Sequence, residues 1–154
     1  MKNCAVILAG GEGKRMKSDK PKTLSEVLGK PMLCWVMSAL RKAGIDDICV
    51  VKGFKKECVE EYLSTLDFSV ESVFQAERLG TGHAVMMAKD FLKKHSGNVV
   101  ILNGDAPFMD SETIQQAYQL HTAQGNAVTV ITAKLDNPFG YGRILRSETG
   151  IDAI

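Results

Sequence analysis

The chain has 154 residues, of which 45% are hydrophobic and 24% charged, and its formal net charge is +1. These values are typical of one soluble globular domain, and the near-zero charge argues against nucleic acid as a partner. No apolar run approaches the ~20 residues that span a bilayer, and the first residues lack a signal-peptide pattern, so we expect a cytoplasmic protein without a membrane partner.

The four cysteines are too far apart in the sequence to form a CxxC pair, so their spacing does not indicate a zinc site. They are Cys4, Cys34, Cys49 and Cys58. Three of them lie in apolar surroundings, where a buried free thiol is the usual state. Free thiols fit a reducing, cytoplasmic compartment.

The predicted elements begin with a buried strand at residues 3–8, an aliphatic run that ends at a glycine cluster. Pro31 suits the first turn of a helix and Gly44 its end, which predicts a helix over residues 31–43. Strands and helices then alternate. Strands are predicted at 47–51, 70–74, 99–102, 127–133 and 142–145, and helices at 55–66, 82–95 and from Asp110 or Ser111 to about Thr122. The run at 99–102 is nearly all aliphatic, which predicts a central position in the sheet.

This alternation predicts an α/β fold, Rossmann-like and doubly wound, with a mainly parallel sheet flanked by helices. We expect a single domain over residues 1–154. Residues 150–154 resemble the start of another strand at which the sequence stops, so we expect the domain to be C-terminally incomplete.

Three polar clusters follow predicted strands directly, at residues 10–22, 75–83 and 103–107. Because ligands of open parallel sheets bind beyond the carboxyl ends of the strands, we expect the three clusters to share one crevice.

The first cluster contains glycines followed by five basic side chains within nine residues. It does not match a Walker loop, because Lys14 is followed by Arg15, and it does not match a dinucleotide fingerprint, because Met16 stands where the third glycine belongs. Glycine-rich backbone and clustered positive charge together favour a polyphosphate site. The alternative is a glycine turn that carries solvated lysines.

The third cluster places Asp105 just after the most apolar predicted strand. Mg²⁺ is a natural partner for this carboxylate beside a phosphate loop, since it takes one or two carboxylates together with phosphate oxygens. The alternative is that Asp105 caps a turn before Pro107.

In the second cluster, Gln75 offers both a donor and an acceptor that suit the edge of a base, with Gly80 and Thr81 close to the same ring. The alternatives are a polar strand terminus for Gln75 and a helix cap for Thr81. We expect His83 to lie in the first turn of the following helix and to serve structure.

Specific motifs resemble a known family. LAGGEGKRM at residues 8–16 and KPK at 20–22 resemble the signature of sugar-nucleotide pyrophosphorylases. QAERLGTGHA at 75–84, NGDAP at 103–107 and NPFGYGRI at 137–144 narrow the resemblance to the uridylyltransferase domain of the bifunctional N-acetylglucosamine-1-phosphate uridyltransferase/glucosamine-1-phosphate acetyltransferase family. The similarity covers the whole sequence and implies a fold of the nucleotide-diphospho-sugar transferase type.

The resemblance implies roles for particular residues. Arg15 and Lys22 would be catalytic and hold the phosphates through the transition state. The nucleotide site would be lined by Leu8, Ala9, Gly10 and Gly11. The uracil would be read by Gln75, Gly80 and Thr81. Ribose and metal would meet Asn103, Gly104 and Asp105, with Asp105 on Mg²⁺. Gly142 would face the N-acetylglucosamine.

The implied reaction joins UTP and N-acetylglucosamine 1-phosphate to give UDP-N-acetylglucosamine and pyrophosphate, with Mg²⁺ as cofactor, in cell-wall biogenesis. The sequence departs from the family at Lys14, where threonine is usual. The family's remaining sugar ligands, its second metal ligand and its β-helix acetyltransferase domain, through which it largely trimerises, fall beyond residue 154. Two alternatives stay open: a non-catalytic module that binds a nucleotide or UDP-sugar, and a nucleotidyltransferase with another base specificity. Homo-oligomerisation stays open too.

Overall fold

The computed structural model describes residues 2–13, 16, 19–148 and 150–153. Eight strands and five α-helices are found within these residues. The strands are β1 Cys4–Ala9, β2 Glu26–Val27, β3 Lys30–Pro31, β4 Asp47–Lys52, β5 Glu71–Phe74, β6 Val99–Asn103, β7 Leu145–Ser147 and β8 Gly150–Ala153. The helices are α1 Met32–Lys42, α2 Lys56–Ser64, α3 Thr81–Met87, α4 Lys89–Leu92 and α5 Ser111–Gln124.

The centre of the fold is a four-stranded parallel sheet in the order β5-β4-β1-β6. The central strand β1 is aliphatic and almost fully buried, with Ile7 paired to Val50 on one side and to Leu102 on the other. Burial on both faces explains its continuous apolar run. The predicted α/β fold with a mainly parallel sheet is therefore confirmed.

Helices cover both faces of this sheet, as its alternating side chains require. Ala5 and Ile7 pack on one face with residues of α1, α2 and α5. Cys4 and Val6 point to the other face, where they pack with Phe91 and with alanines of α3 and its C-terminal end. This two-sided arrangement confirms the doubly wound prediction.

Four expectations differ from the structure. The strand predicted as central, β6, lies at an edge of the four-stranded sheet, and Ile101 is 48% exposed. Residues 127–133 form no strand, and Val128 is 76% exposed. The β-branched residues of this segment favour an extended backbone, but a strand also needs a neighbouring strand to which it can hydrogen-bond. The strand predicted at 142–145 is displaced to β7, which pairs with β8 in an antiparallel hairpin.

The fourth difference concerns the helix predicted at 82–95, which is divided into α3 and α4 at Ala88. The Ala88 N–H donates to the Val85 carbonyl three residues back, at 3.0 Å, which tightens the turn there. One buried face continues across the division, because Ala84, Ala88 and Phe91 are all buried.

Within the described part of the chain, no helix is long and apolar enough to cross a membrane.

Candidate functional site

A cavity of about 300 Å³ opens beyond the carboxyl ends of the sheet strands. It is lined by nine of the residues to which the family resemblance assigns roles. They are Leu8, Gly10, Gly11, Lys22, Gln75, Gly80, Thr81, Asn103 and Asp105. The cavity therefore draws on all three polar clusters of the sequence.

Backbone hydrogen bonds that continue the sheet bring the clusters together. The Gly104 N–H donates to the Leu8 carbonyl at 2.9 Å, so the turn after β6 stays beside the end of β1. The Gln75 N–H donates to the Lys52 carbonyl at 2.9 Å, so the segment after β5 stays beside β4. Parallel pairing thus places the three strand ends at one edge, as expected.

Lys22 and Asp105 form an ion pair at this edge, with Nζ 2.5 Å from Oδ2. Lys22 begins a short 3₁₀ helix, Lys22–Leu24, and Asp105 lies in the turn that follows β6. Each side chain is about one-third exposed, at 35% and 33%. A basic group and an acidic group therefore lie together in the cavity, within reach of a phosphate and of a cation.

Gln75 is nearly fully buried and is held by two contacts of its amide nitrogen. Nε2 lies 3.2 Å from the Gly80 carbonyl oxygen and 3.0 Å from His83 Nδ1. Gly80 is the N-cap of α3 and has φ +100°, a conformation that favours glycine. His83 lies in the first turn of α3, as predicted, and its ring reaches Gln75.

Two glycines allow close approaches beside the cavity. A Cβ on Gly10 would lie 3.1 Å from Gln75 Oε1. A Cβ on Gly13, which has φ +63°, would lie 2.8 Å from the Lys22 Cβ. The glycine-rich loop therefore packs directly against the side chains of Gln75 and Lys22.

Three further lining residues were not predicted. Thr23 is buried, and its Oγ1 has no hydrogen-bond partner among the described residues. Arg78 pairs with Glu12 at 2.7 Å and so connects the second cluster to the glycine-rich loop. Ala84 is a buried α3 residue that also reaches the cavity wall. The pair of Glu12 and Arg78 could have been predicted from the sequence, because the two residues carry opposite charges in two loops that are expected to share a crevice.

Four predicted site residues do not line this cavity or lie outside the described residues. Ala9 is buried, and Gly104 is buried against Thr23, where an added Cβ would meet Cγ2 at 3.0 Å. Gly142 is exposed and does not belong to the cavity lining. Arg15 lies outside the described residues.

Among the described residues, no cluster of three or more histidine, cysteine, aspartate or glutamate side chains could hold a metal ion. Asp105 is the acidic side chain that lines the cavity, and Lys22 already contacts one of its oxygens. A single carboxylate fits Mg²⁺ only when other oxygens, such as those of a phosphate chain, complete the coordination.

The comparisons with known proteins agree with this geometry. A family model described as nucleotidyl transferase matches residues 4–154. The chain is 47% identical over its whole length to the bifunctional protein GlmU of Clostridium beijerinckii, of which it covers 33%. It is 49% identical over 146 residues to the protein of the same name from Acetivibrio thermocellus, covering 95% of the chain and 31% of that relative. The chain thus spans about a third of the length of these curated relatives.

Solved structures show the same fold. A UDP-glucose pyrophosphorylase from Acinetobacter baumanii superposes with a TM-score of 0.68 at 23% identity, over 81% of this chain and 54% of the other. The protein Rv0371c from Mycobacterium tuberculosis superposes with a TM-score of 0.63 at 24% identity, over 79% of this chain and 61% of the other.

Proposed function

This chain belongs to the nucleotidyl transferase family, and on that premise we propose that it carries the nucleotide site of a UTP-dependent uridylyltransferase. The reaction joins UTP to N-acetylglucosamine 1-phosphate and releases pyrophosphate. The observation that carries the proposal is one cavity lined at once by the ion pair of Lys22 and Asp105 and by the buried amide of Gln75. A nucleoside triphosphate needs both kinds of contact, one for its phosphates and one for its base.

The uracil half of the proposal rests on the second cluster. Gln75, Gly80 and Thr81 lie at one wall of the cavity, and the leucine, alanine and glycine groups around them give the base an apolar surface. The motif at residues 75–84 supplies these side chains in the family that the sequence resembles. These positions therefore favour uracil as the base.

The phosphate half rests on the first and third clusters. Lys22 would neutralise charge on the phosphate chain, as would Arg15, which lies outside the described residues. Thr23 also lines the cavity here, and its buried hydroxyl has no hydrogen-bond partner within the described residues. Asn103 is available to the ribose from the end of β6.

Asp105 is the residue that would hold Mg²⁺, together with oxygens of the nucleotide. Bound there, the ion would supply charge neutralisation and alignment of the phosphates. Lys22 would have to release the Asp105 oxygen that it now contacts and turn to the phosphate chain. Lys22 would then contact the phosphate chain directly, and Asp105 would act on it through the metal ion.

The proposed chemistry needs no general base from the protein. The attacking group is a phosphate oxygen that is already ionised near neutral pH, so the residues of the chain act by positioning and by charge neutralisation. His83 has its Nδ1 against Gln75 and is accounted for by that contact.

A coupled assay tests the proposal. The chain is incubated with UTP, Mg²⁺ and N-acetylglucosamine 1-phosphate, pyrophosphate release is followed, and the nucleotide sugar is identified by mass spectrometry. Release that depends on the sugar phosphate supports the proposal. A preference for CTP or GTP would overturn the base assignment.

A second candidate is a module that binds the nucleotide or UDP-sugar without turning it over. It is favoured by one observation: Gly142, the residue that the resemblance assigns to the sugar, does not line the cavity. Calorimetric titration with UTP and Mg²⁺, carried out beside the pyrophosphate-release assay, separates the two, because this module gives heat of binding but no pyrophosphate.

A further inference from the structure

The side-chain amide of Gln75 has a defined orientation, because its neighbours determine which position holds the nitrogen Nε2 and which holds the oxygen Oε1. The Gly80 carbonyl oxygen can only accept a hydrogen bond, so the Gln75 atom 3.2 Å from it is the nitrogen, Nε2. An oxygen in that place would meet another acceptor. Gly80 itself is held by α3, since its carbonyl also accepts the Ala84 N–H at 3.1 Å.

The second hydrogen of the same nitrogen is used by His83. Nε2 lies 3.0 Å from the imidazole Nδ1, and an amide nitrogen offers only donors. Nδ1 must therefore present its lone pair, which leaves the ring proton on the imidazole Nε2. With one hydrogen on Gly80 and one on His83, both donors of the Gln75 amide are consumed.

The oxygen of the amide is left for a ligand. Oε1 lies beside Gly10, so close that a Cβ added to that glycine would be 3.1 Å from Oε1. Both residues line the cavity. No hydrogen bond from a described residue reaches Oε1, and Oε1 is not among the side-chain atoms that are fully buried without a partner. The cavity thus meets Gln75 as an acceptor alone.

We infer that His83 is a positioning residue that, with the Gly80 carbonyl, fixes Gln75 with Oε1 toward the cavity, and that the site thereby selects a pyrimidine that carries an N–H at ring position 3. This inference rests on the proposed function, because it assumes that Gln75 contacts the base. Uracil has that N–H and donates it, whereas the N3 atom of cytosine is an acceptor. Cytosine would set two acceptors against each other, so UTP is favoured over CTP.

The imidazole matters because it removes the freedom of the amide. Without an acceptor at the Nδ1 position, one of the two restraints on Nε2 is lost and the amide can present its nitrogen to the cavity. A nitrogen there can donate to cytosine N3, so the discrimination between the two pyrimidines falls. The affinity for the phosphate chain is set elsewhere in the cavity and changes little.

The experiment compares the dissociation constants of UTP and CTP, each with Mg²⁺, by calorimetry on the intact chain and three variants. His83→Leu keeps bulk but offers no acceptor, and His83→Asn can return an oxygen to the Nδ1 position. His121→Leu is the matched control, because His121 bonds to Thr129 outside the cavity lining. We expect His83→Leu to lower the UTP-to-CTP preference by about tenfold, the factor for one ordinary hydrogen bond. His83→Asn should restore most of the preference, and His121→Leu should leave it unchanged.

The outcomes separate the inference from the proposed function. If the unmodified chain binds no UTP, or prefers CTP, the proposed function fails and the inference fails with it. If the unmodified chain prefers UTP and His83→Leu keeps the full preference, the proposed function stands and the role of His83 is refuted.

A spectroscopic measurement keeps the inference testable even where His83→Leu does not fold. Long-range ¹H–¹⁵N correlation of the imidazoles at about pH 8, where an ordinary histidine is neutral, reports the tautomer directly. The inference requires the His83 proton on the ring Nε2. A proton on Nδ1 would overturn it.

Discussion

Lys22 and Asp105 lie 83 positions apart in the sequence, yet Lys22 Nζ and Asp105 Oδ2 are 2.5 Å apart at the edge of the cavity. The contact joins the segment after the glycine-rich loop to the turn after β6. Each group is left about one-third exposed, so each can exchange its protein partner for a ligand.

Replacing Lys22 tests the phosphate half of the site. Lys22→Ala removes a charged donor from the cavity, and a hydrogen bond to a charged group contributes about 1.5–3 kcal/mol, so UTP should bind about 10–100-fold more weakly. The measurement is calorimetry with UTP and Mg²⁺. Lys134→Ala is the control, because Lys134 is exposed and does not line the cavity. Equal losses in both variants would contradict a specific role for Lys22.

Gly13 should be required for the position of Lys22. Gly13→Ala would force a side chain into φ +63° and set its Cβ 2.8 Å from the Lys22 Cβ, so the lysine must shift. We expect UTP affinity to fall by about tenfold, the factor for 1.4 kcal/mol. Gly142→Ala, which meets nothing within 4 Å, should bind UTP normally. Normal binding by Gly13→Ala would show that the close approach does not matter.

Burial of Cys49 predicts a loss of stability at high pH. Desolvation, followed by the charge of Glu71, raises the pKa of the Cys49 thiol from its ordinary value of 9.0 to about 11. Between these values the unfolded chain releases a proton that the folded chain keeps, so the free energy of unfolding falls as pH rises, by about 2 kcal/mol near pH 11.

Urea denaturation under reducing conditions at pH 8 and near pH 11 measures this slope. Cys49→Ala should show a smaller fall with pH than the unmodified chain, whatever its stability at pH 8. Identical slopes would mean that another group causes the loss.

In the hairpin between β2 and β3, a non-glycine residue has an unfavourable backbone conformation, and a substitution can reduce its cost in free energy. Its two turn residues, Leu28 and Gly29, have φ 52° and 75°, and Leu28 is 84% exposed. Two positive φ values are those of a type I′ turn, which favours Asn-Gly. Leu28→Asn should therefore raise the free energy of unfolding by about 0.5–1 kcal/mol. Leu135→Asn, at an exposed leucine without positive φ, should give no such gain in the same denaturation experiment.

The sequence allowed much of the fold and site to be predicted where local signals agree with tertiary structure. The aliphatic run of β1 and the glycine beyond it identify a strand and its end. Gln75 and Asp105 follow strands, and parallel pairing does bring such positions to one edge. A strand end is a local property, which is why both residues could be found.

Other features depend on partners that lie far away in the sequence. Aliphatic composition indicated burial of β6 but not which strands flank it, and Ile101 is half exposed at the sheet edge. The contact between His83 and Gln75 depends on how α3 docks. The burial of Thr23, whose hydroxyl has no partner among the described residues, depends on tertiary packing beside Gly104. Neither feature can be predicted from the type or the spacing of the residues in the sequence.

We expect one cavity to bind both ends of UTP. A crystal structure of the chain grown with UTP and Mg²⁺ measures this. We predict the uracil against Gln75 and Gly80, with the triphosphate beside Lys22 and Asp105. UTP bound elsewhere, for example in the second cavity of about 280 Å³ beside Asn3, would contradict it.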